Sequence, residues 1–315
     1  MVSGSALSLL HVVAENQTTT IDDLASKTQY SERQAYRATD ELVAVGELQE
    51  SRGPKNRREF QAGTGRLVTE YQRLLSRAGH VDWQALLSPA LLRACWYLDE
   101  PRSLNTVANR LDRTYHAVYA ALDPISDRAM LSPDGPTYGL ADNIEQLHAV
   151  ADAFAMVSHR MRLLDVAQQA VIEWYDPVRA VVRPRTTDET EQLHDSDDWH
   201  VTGLAAFANY GHDFHLPREP LFWSGPNDVP SGEQTVCHTI LTDPEPRRVS
   251  YAMLLIEDAG LDHYRLRDLS HWYGVEDTLT TMLDTLEGNI DWPSENNIPG
   301  KQEYEALKTQ YLDSR

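Results

Sequence analysis

Apolar positions recur at helical spacing through the opening of the chain, and short alternating stretches interrupt them. Residues 5–15 read as a helix, and the Thr-rich residues 18–20 as a short strand. Ile21, Leu24 and Ala25 then share one face, which predicts a helix over Ile21–Thr28. Ser31 stands where an N-cap belongs, ahead of a longer helix from Glu32 to about Val45 with Ala35, Ala38, Leu42 and Val45 as its buried stripe. Gly46 stops it. Residues 47–51 and 58–61 alternate as two short strands around the turn Arg52-Gly53-Pro54-Lys55-Asn56. Residues 67–75 continue as a helical connector.

The pattern then returns. Residues 88–98 read as a helix opened by Ser88 and Pro89, Leu104–Leu111 repeats the role of Ile21–Thr28, residues 114–122 follow as a second helix, and residues 130–141 read as a hairpin. Two helices across a tight turn, then a hairpin, are the parts of a winged helix-turn-helix, so the repeat predicts two in tandem. The copies are unequal: Pro124 cuts into the second helix of the second copy, and its hairpin carries Asp134 and no basic residue. Asp142 is expected to cap a long linker helix to about Leu164, packed on its own chain or pairing two copies. Beyond it, residues 176–184 read as a strand and 186–199 as an acidic exposed loop. Residues 202–210 read as a helix and 221–223 and 235–241 as strands. Helices are expected over 248–257, 262–273, 275–286 and 303–312. The expected architecture is α+β, mostly α. Winged helices lie at 1–80 and 81–143, a linker helix at 144–175, a mixed α+β C-terminal domain at 176–290 and a polar tail at 291–315.

Composition changes the picture through charge. The net charge is −20, and only four of the 28 basic residues are lysines. Abundant carboxylates with scarce lysine resemble proteins of salt-accumulating haloarchaea. At molar salt the Debye length is about 3 Å, so an acidic total does not exclude a DNA binder. The charge is unevenly spread. Residues 1–80 hold 10 basic and 10 acidic side chains, residues 81–185 hold 10 and 13, and residues 186–315 hold 8 and 25. A hydrophobic share of 41% supports real cores. Two separate cysteines, Cys95 and Cys237, make no disulfide framework and fit a reducing cytosol. No basic leader or long apolar run is seen, so a cytoplasmic, nucleoid-associated protein without membrane contact is expected.

The chemistry concentrates in the first copy. Arg33 and Arg37 lie four apart on one face of the expected recognition helix, with Gln34 and Tyr36 beside them. Arginine forks onto guanine and glutamine pairs with adenine, which makes these the base-reading residues. Ser31 and the free N–H groups at the helix start suit a phosphate. Arg52, Lys55, Asn56, Arg57 and Arg58, a stretch without a carboxylate, would hold backbone or minor groove. In the second copy Arg113 and Tyr115 are the expected phosphate contacts, from a set that also holds Arg110, Thr114, His116 and Tyr119. His212-Asp213-Phe214-His215 and Cys237-His238 offer metal-ligand types without a second pair at finger spacing, so loop histidines are expected and no metal. No GxSxG, GxxxxGK[ST] or GxGxxG stretch supports an enzyme or a nucleotide cofactor. Trp199, Phe207, Tyr210, Trp223, Tyr251, His271, Trp272 and Tyr273 make the C-terminal domain aromatic, for core packing or for a partner protein or small effector.

Asp23-Leu24-Ala25, Ser31, Arg33, Arg37, Leu42 and Gly46, followed by the basic hairpin, resemble winged helix-turn-helix transcription regulators of the MarR and related groups. This implies a sequence-specific regulator bound to double-stranded DNA as a homodimer. Residues 202–211 (TGLAAFANYG) and the helices after them resemble AbiEi-type proteins. That likeness implies an antitoxin-like autorepressor holding a partner protein through the C-terminal domain. A third expectation is an architectural protein that binds DNA without sequence preference.

Overall fold

The computed structural model describes residues 2–16, 18–212, 220–226, 229–242, 244–293 and 297–311. They form an α+β chain that is mostly helical. It divides into two units, Met1–Leu164 with Asp176–Val178, and Asp165–Tyr175 with Arg179–Arg315.

The first unit opens with α1 (Gly4–Glu15), β1 (Thr19–Thr20), α2 (Ile21–Thr28) and α3 (Glu32–Ala44). The hairpin β2 (Leu48–Arg52) and β3 (Arg58–Ala62) follows, then α4 (Arg66–Ala78) and the short α5 (Trp83–Leu86). Polar caps set the boundaries. Thr20 and Ser31 each cap their helix reciprocally with the residue three positions on, Asp23 and Gln34. β1 pairs with β3 and β3 with β2, all antiparallel, so the first strand closes the hairpin into a three-stranded sheet. α1 packs on α2, α3, α4 and β3, burying Leu9, Leu10, Val13, Leu24, Ala35, Leu42 and Phe60.

The same order of parts recurs in α6 (Pro89–Trp96), α7 (Leu104–Leu111), α8 (Tyr115–Ser126), the hairpin β4 (Leu131–Asp134) and β5 (Thr137–Leu140), and α9 (Gln146–Leu163). Arg102 bridges Tyr138 of β5 where β1 bridges β3. The correspondence holds residue by residue. The caps Thr20/Ser103 and Ser31/Thr114, the left-handed turn residues Gln29/Asp112 and the strand starts Leu48/Leu131 share one spacing. Two details differ from expectation. α8 runs through Pro124 to Ser126, because a missing N–H so near the end leaves only the last turn to close, and Asp127 N still reaches Asp123 O at 3.0 Å. Asp142 lies in a separate 3-10 turn and does not cap α9. α9 packs on α4 and α6, and its apolar residues Leu147, Val150, Phe154 and Leu163 are buried there. That face is therefore not open for pairing two copies.

The second unit holds a four-stranded antiparallel sheet ordered β6-β7-β9-β8, from β6 (Val171–Tyr175), β7 (Ala180–Arg183), β8 (His200–Thr202) and β9 (Leu221–Ser224). Its helices are α10 (Thr187–His194), α11 (Gly232–Leu241), α12 (Pro246–Ala259), α13 (His263–Tyr273), α14 (Glu276–Glu287) and α15 (Lys301–Tyr311). Leu312, placed in the last helix by its pattern, lies outside the described residues, and 202–210 is a 3-10 turn from Gly203 to Tyr210. The expected strand over 235–241 is the helix α11. The capping box of Ser231 and Gln234 starts it, and its residues from Gly232 to Ile240 are all buried, so no one-sided stripe shows in the sequence. The expected loop over 186–199 contains α10, capped by Thr186. Its Glu189 turns inward and accepts from Gln169 N at 2.5 Å and Arg185 N at 2.8 Å. Trp223, Phe207, Val236, Tyr251, Leu254 and Tyr273 belong to one buried cluster between the helices and the sheet. Among the described residues no helix is long and apolar enough to cross a membrane.

Candidate nucleic-acid interface

Helical spacing gives α3 two faces. Ala35, Ala38, Thr39 and Leu42 are buried, and Arg33, Gln34, Tyr36, Arg37 and Asp40 point outward. Ser31 caps the helix as expected, and its partner is Gln34. Ser31 Oγ accepts from Gln34 N at 3.4 Å, while Gln34 Oε1 accepts from Ser31 N at 3.1 Å and Ser31 Oγ at 2.9 Å. The glutamine carbonyl is thus committed to the helix start. Arg37 donates to Glu41 one turn on at 3.2 Å yet keeps 84% of its side chain exposed. Arg33 is exposed and has no acidic partner among the described residues.

The hairpin tip is a tight loop in which Lys55 and Asn56 both adopt left-handed backbone, at φ 59° and 61°. Gly53 precedes it with extended backbone, beside the Glu59 carboxylate. Five basic and amide side chains flank this turn, and they do not share one environment. Lys55 and Asn56 stand in solvent. Arg52 lies 3.7 Å from Glu50, and Arg57 lies 3.5 Å from Asp22 of α2, both more than half exposed. Arg58 is different. Only 21% of its side chain is exposed, and it forks onto Glu50 at 2.8 and 2.7 Å while also reaching Asp40 of α3 at 2.6 Å. Its guanidinium also lies over the rings of Tyr36 and Phe60, 5.5 and 5.1 Å from their centroids. Hydrogen bonding to Glu50 raises the Arg58 pKa and lowers that of Glu50, so both stay charged.

The structure thus brings Arg33, Tyr36, Arg37, Arg52, Lys55 and Arg57 to solvent around one helix and one hairpin, and ties Gln34 and Arg58 into the fold. The tie was readable in part. Ser31-x-x-Gln34 spells a capping box, and Glu50 stands diagonally across the hairpin from Arg58, since Glu50 pairs with Phe60 and Arg52 with Arg58. Asp40 and Asp22 are brought in by tertiary packing, with no signal in the local sequence.

In the second repeat the outward face of α8 carries Tyr115, His116 and Tyr119. Tyr115 and Tyr119 are 41% and 48% exposed and stack at 6.3 Å with 18° between their planes. Arg113 precedes them on an exposed turn. This face is aromatic where α3 is basic.

Two histidines of the second unit, His212 and His238, are packed within it, and His238 lies in α11 where a loop histidine was expected. His238 is fully buried, with Nδ1 2.7 Å from Thr202 Oγ1, and burial pushes its pKa down to about 3. His212 sits 2.9 Å from Asp258, and burial pushes the Cys237 thiol up to about 12. Asp213, Phe214 and His215 of the metal reading lie outside the described residues.

A family model described as HVO_2833_C, C-terminal, matches residues 196–312, the stretch from β8 to just past α15 and well under half of the chain. No curated protein matches the chain at a significant level.

Proposed function

We propose that this chain is a sequence-specific DNA-binding transcription regulator that works through its first helix-turn-helix. α3 enters the major groove and the β2–β3 hairpin lies on the flanking backbone. The observation that carries this reading is the common exposure of Arg33, Tyr36 and Arg37 on α3 beside a hairpin offering Arg52, Lys55 and Arg57. Arg33 is the principal base reader, since one forked arginine–guanine contact discriminates by about 1–3 kcal/mol. Two copies of the chain would place two such helices on successive half-sites.

A second reading, non-specific architectural binding, draws on the commitment of Gln34 to its capping box, which removes one base-reading amide. Genomic immunoprecipitation at native salt separates the two. A regulator gives discrete enriched sites that disappear in Arg33→Ala/Arg37→Ala, whereas an architectural protein gives broad coverage that falls evenly. Occupancy unaffected by the double substitution would overturn both.

A further inference from the structure

We propose that the second helix-turn-helix contains a binding pocket for a small organic anion with a compact apolar body, seated between α6 and α8. A cavity of about 110 Å³ opens there, walled by Ala90 and Ala94 of α6 and Ala117 and Ala121 of α8, with Arg93 and Arg113 reaching its edge. One water needs roughly 10–15 Å³ of such space, so the volume suits a small branched or cyclic body.

The internal repeat shows why the space exists. Arg113 occupies the position that Tyr30 holds in the first copy, each between a left-handed turn residue and a helix cap. Tyr30 closes its seam by donating from its hydroxyl to Ser8 of α1 at 3.2 Å. Arg113 makes no such closure, and alanines of α6 and α8 line the space together with Leu111, Val118 and Val178.

The charges give the pocket its sign. Arg93 is partly buried, and its pKa is lowered first by burial and then by the charge of Arg113. Arg93 and Arg113 therefore both border one mostly apolar space, and none of the residues lining it is acidic. A carboxylate between them would relieve their repulsion through forked, charge-assisted hydrogen bonds, while its hydrocarbon body covered the alanine walls. Inorganic phosphate would satisfy the arginines but would surrender its hydration against methyl groups.

The test needs only ligand binding, so it stands apart from the DNA-binding proposal. The full chain, at fixed KCl concentration, is titrated by calorimetry with isobutyrate and isovalerate, with isovaleramide and inorganic phosphate as comparators. Saturable one-site binding of a carboxylate is expected, with the amide and phosphate weaker by about tenfold or more, the scale of one lost charge-assisted contact. Arg113→Gln should weaken carboxylate binding by about tenfold or more without lowering the unfolding midpoint. Ala117→Leu, at an exposed position on the pocket wall, should block binding by filling the space. The proposal fails if neither carboxylate saturates, if amide or phosphate binds as well, or if either variant binds like the parent.

Discussion

Arg58 shows how one residue can belong to a basic run in sequence and carry a structural load in the fold. In sequence it belongs to a basic run, Arg52 to Arg58, that no carboxylate interrupts. In the fold it joins the hairpin to α3 through Glu50 and Asp40 and covers the Phe60 ring. Removing it strands two carboxylates side by side, so Arg58→Ala should cost about 1–3 kcal/mol of stability, the range for losing charge-assisted hydrogen bonds at a partly buried site. Lys55→Ala, in solvent at the hairpin tip, should leave stability unchanged. The pH dependence follows from Glu50, whose folded pKa is lowered below the ordinary 4.5 chiefly by its hydrogen bonds from Arg58. A lowered carboxylate contributes stability that is fully present above its unfolded pKa and is lost as pH falls through the folded value. Denaturant titrations from pH 7 to 3 should therefore show the gap between parent and Arg58→Ala closing below about pH 4.5. A gap of constant size would mean that Arg58 acts through packing alone.

At the scale of elements, the first repeat is held to its connector by a side chain from the base of the hairpin. α4 is preceded at its cap position by Gly65, which has no side chain to cap it. Glu47, only 1% exposed, supplies the cap from outside: Oε1 accepts from Leu67 N at 3.2 Å and Oε2 from Val68 N at 2.7 Å. Burial nevertheless raises the Glu47 pKa, with the two N–H groups opposing it, so its contribution runs opposite to that of Glu50 and weakens as pH rises through the raised value. Glu47→Ala should leave two helix N–H groups buried without a partner and cost about 1–3 kcal/mol in urea unfolding. Gly65→Ala should cost a similar amount, because its Cβ would fall 2.3 Å from the Glu47 carboxyl carbon. If only one of the two variants is destabilised, Glu47 is not the cap. Most elements of the first unit were legible because their ends are written in single residues: Ser31 and Ser88 each cap where a cap was expected, and Thr20 and Ser103 cap the helices they precede in the same way. α11 was not, since a helix buried all round looks like a β-branched strand until Ser231 and Gln234 are read as a pair. Glu189 hid α10 for a related reason, an acid that the sequence assigns to solvent serving as an internal acceptor. The ion pairs of Arg58 depend on hairpin register and on packing against α3, which no local window contains.

Across the whole molecule, the first 80 residues are electrically balanced, while residues 186–315 carry 25 acids against 8 bases. Under the proposed function these two facts act on DNA affinity in opposite directions with salt. Short-range phosphate contacts from Arg52, Lys55 and Arg57 displace counterions, so three such contacts per copy would give a log–log salt slope of about −2.7. Raising salt also screens the acidic excess, with a Debye length falling from about 10 Å at 0.1 M to 3 Å at 1 M, and that removes a repulsion. The measured slope should therefore be shallower than the contact count at low salt and should steepen toward it as the long-range field is screened out. Within the contact set Lys55 is the cleanest probe, because it stands in solvent at the hairpin tip and its removal disturbs no ion pair among the described residues. Lys55→Ala should reduce the slope by about 0.9 and weaken all DNA sequences alike, whereas Arg33→Ala should change the ranking of sequences as well. Fluorescence anisotropy titrations over a KCl series on a site and a scrambled duplex measure both quantities. An unchanged slope in Lys55→Ala would remove the hairpin from the phosphate backbone and leave α3 as the whole of the interface.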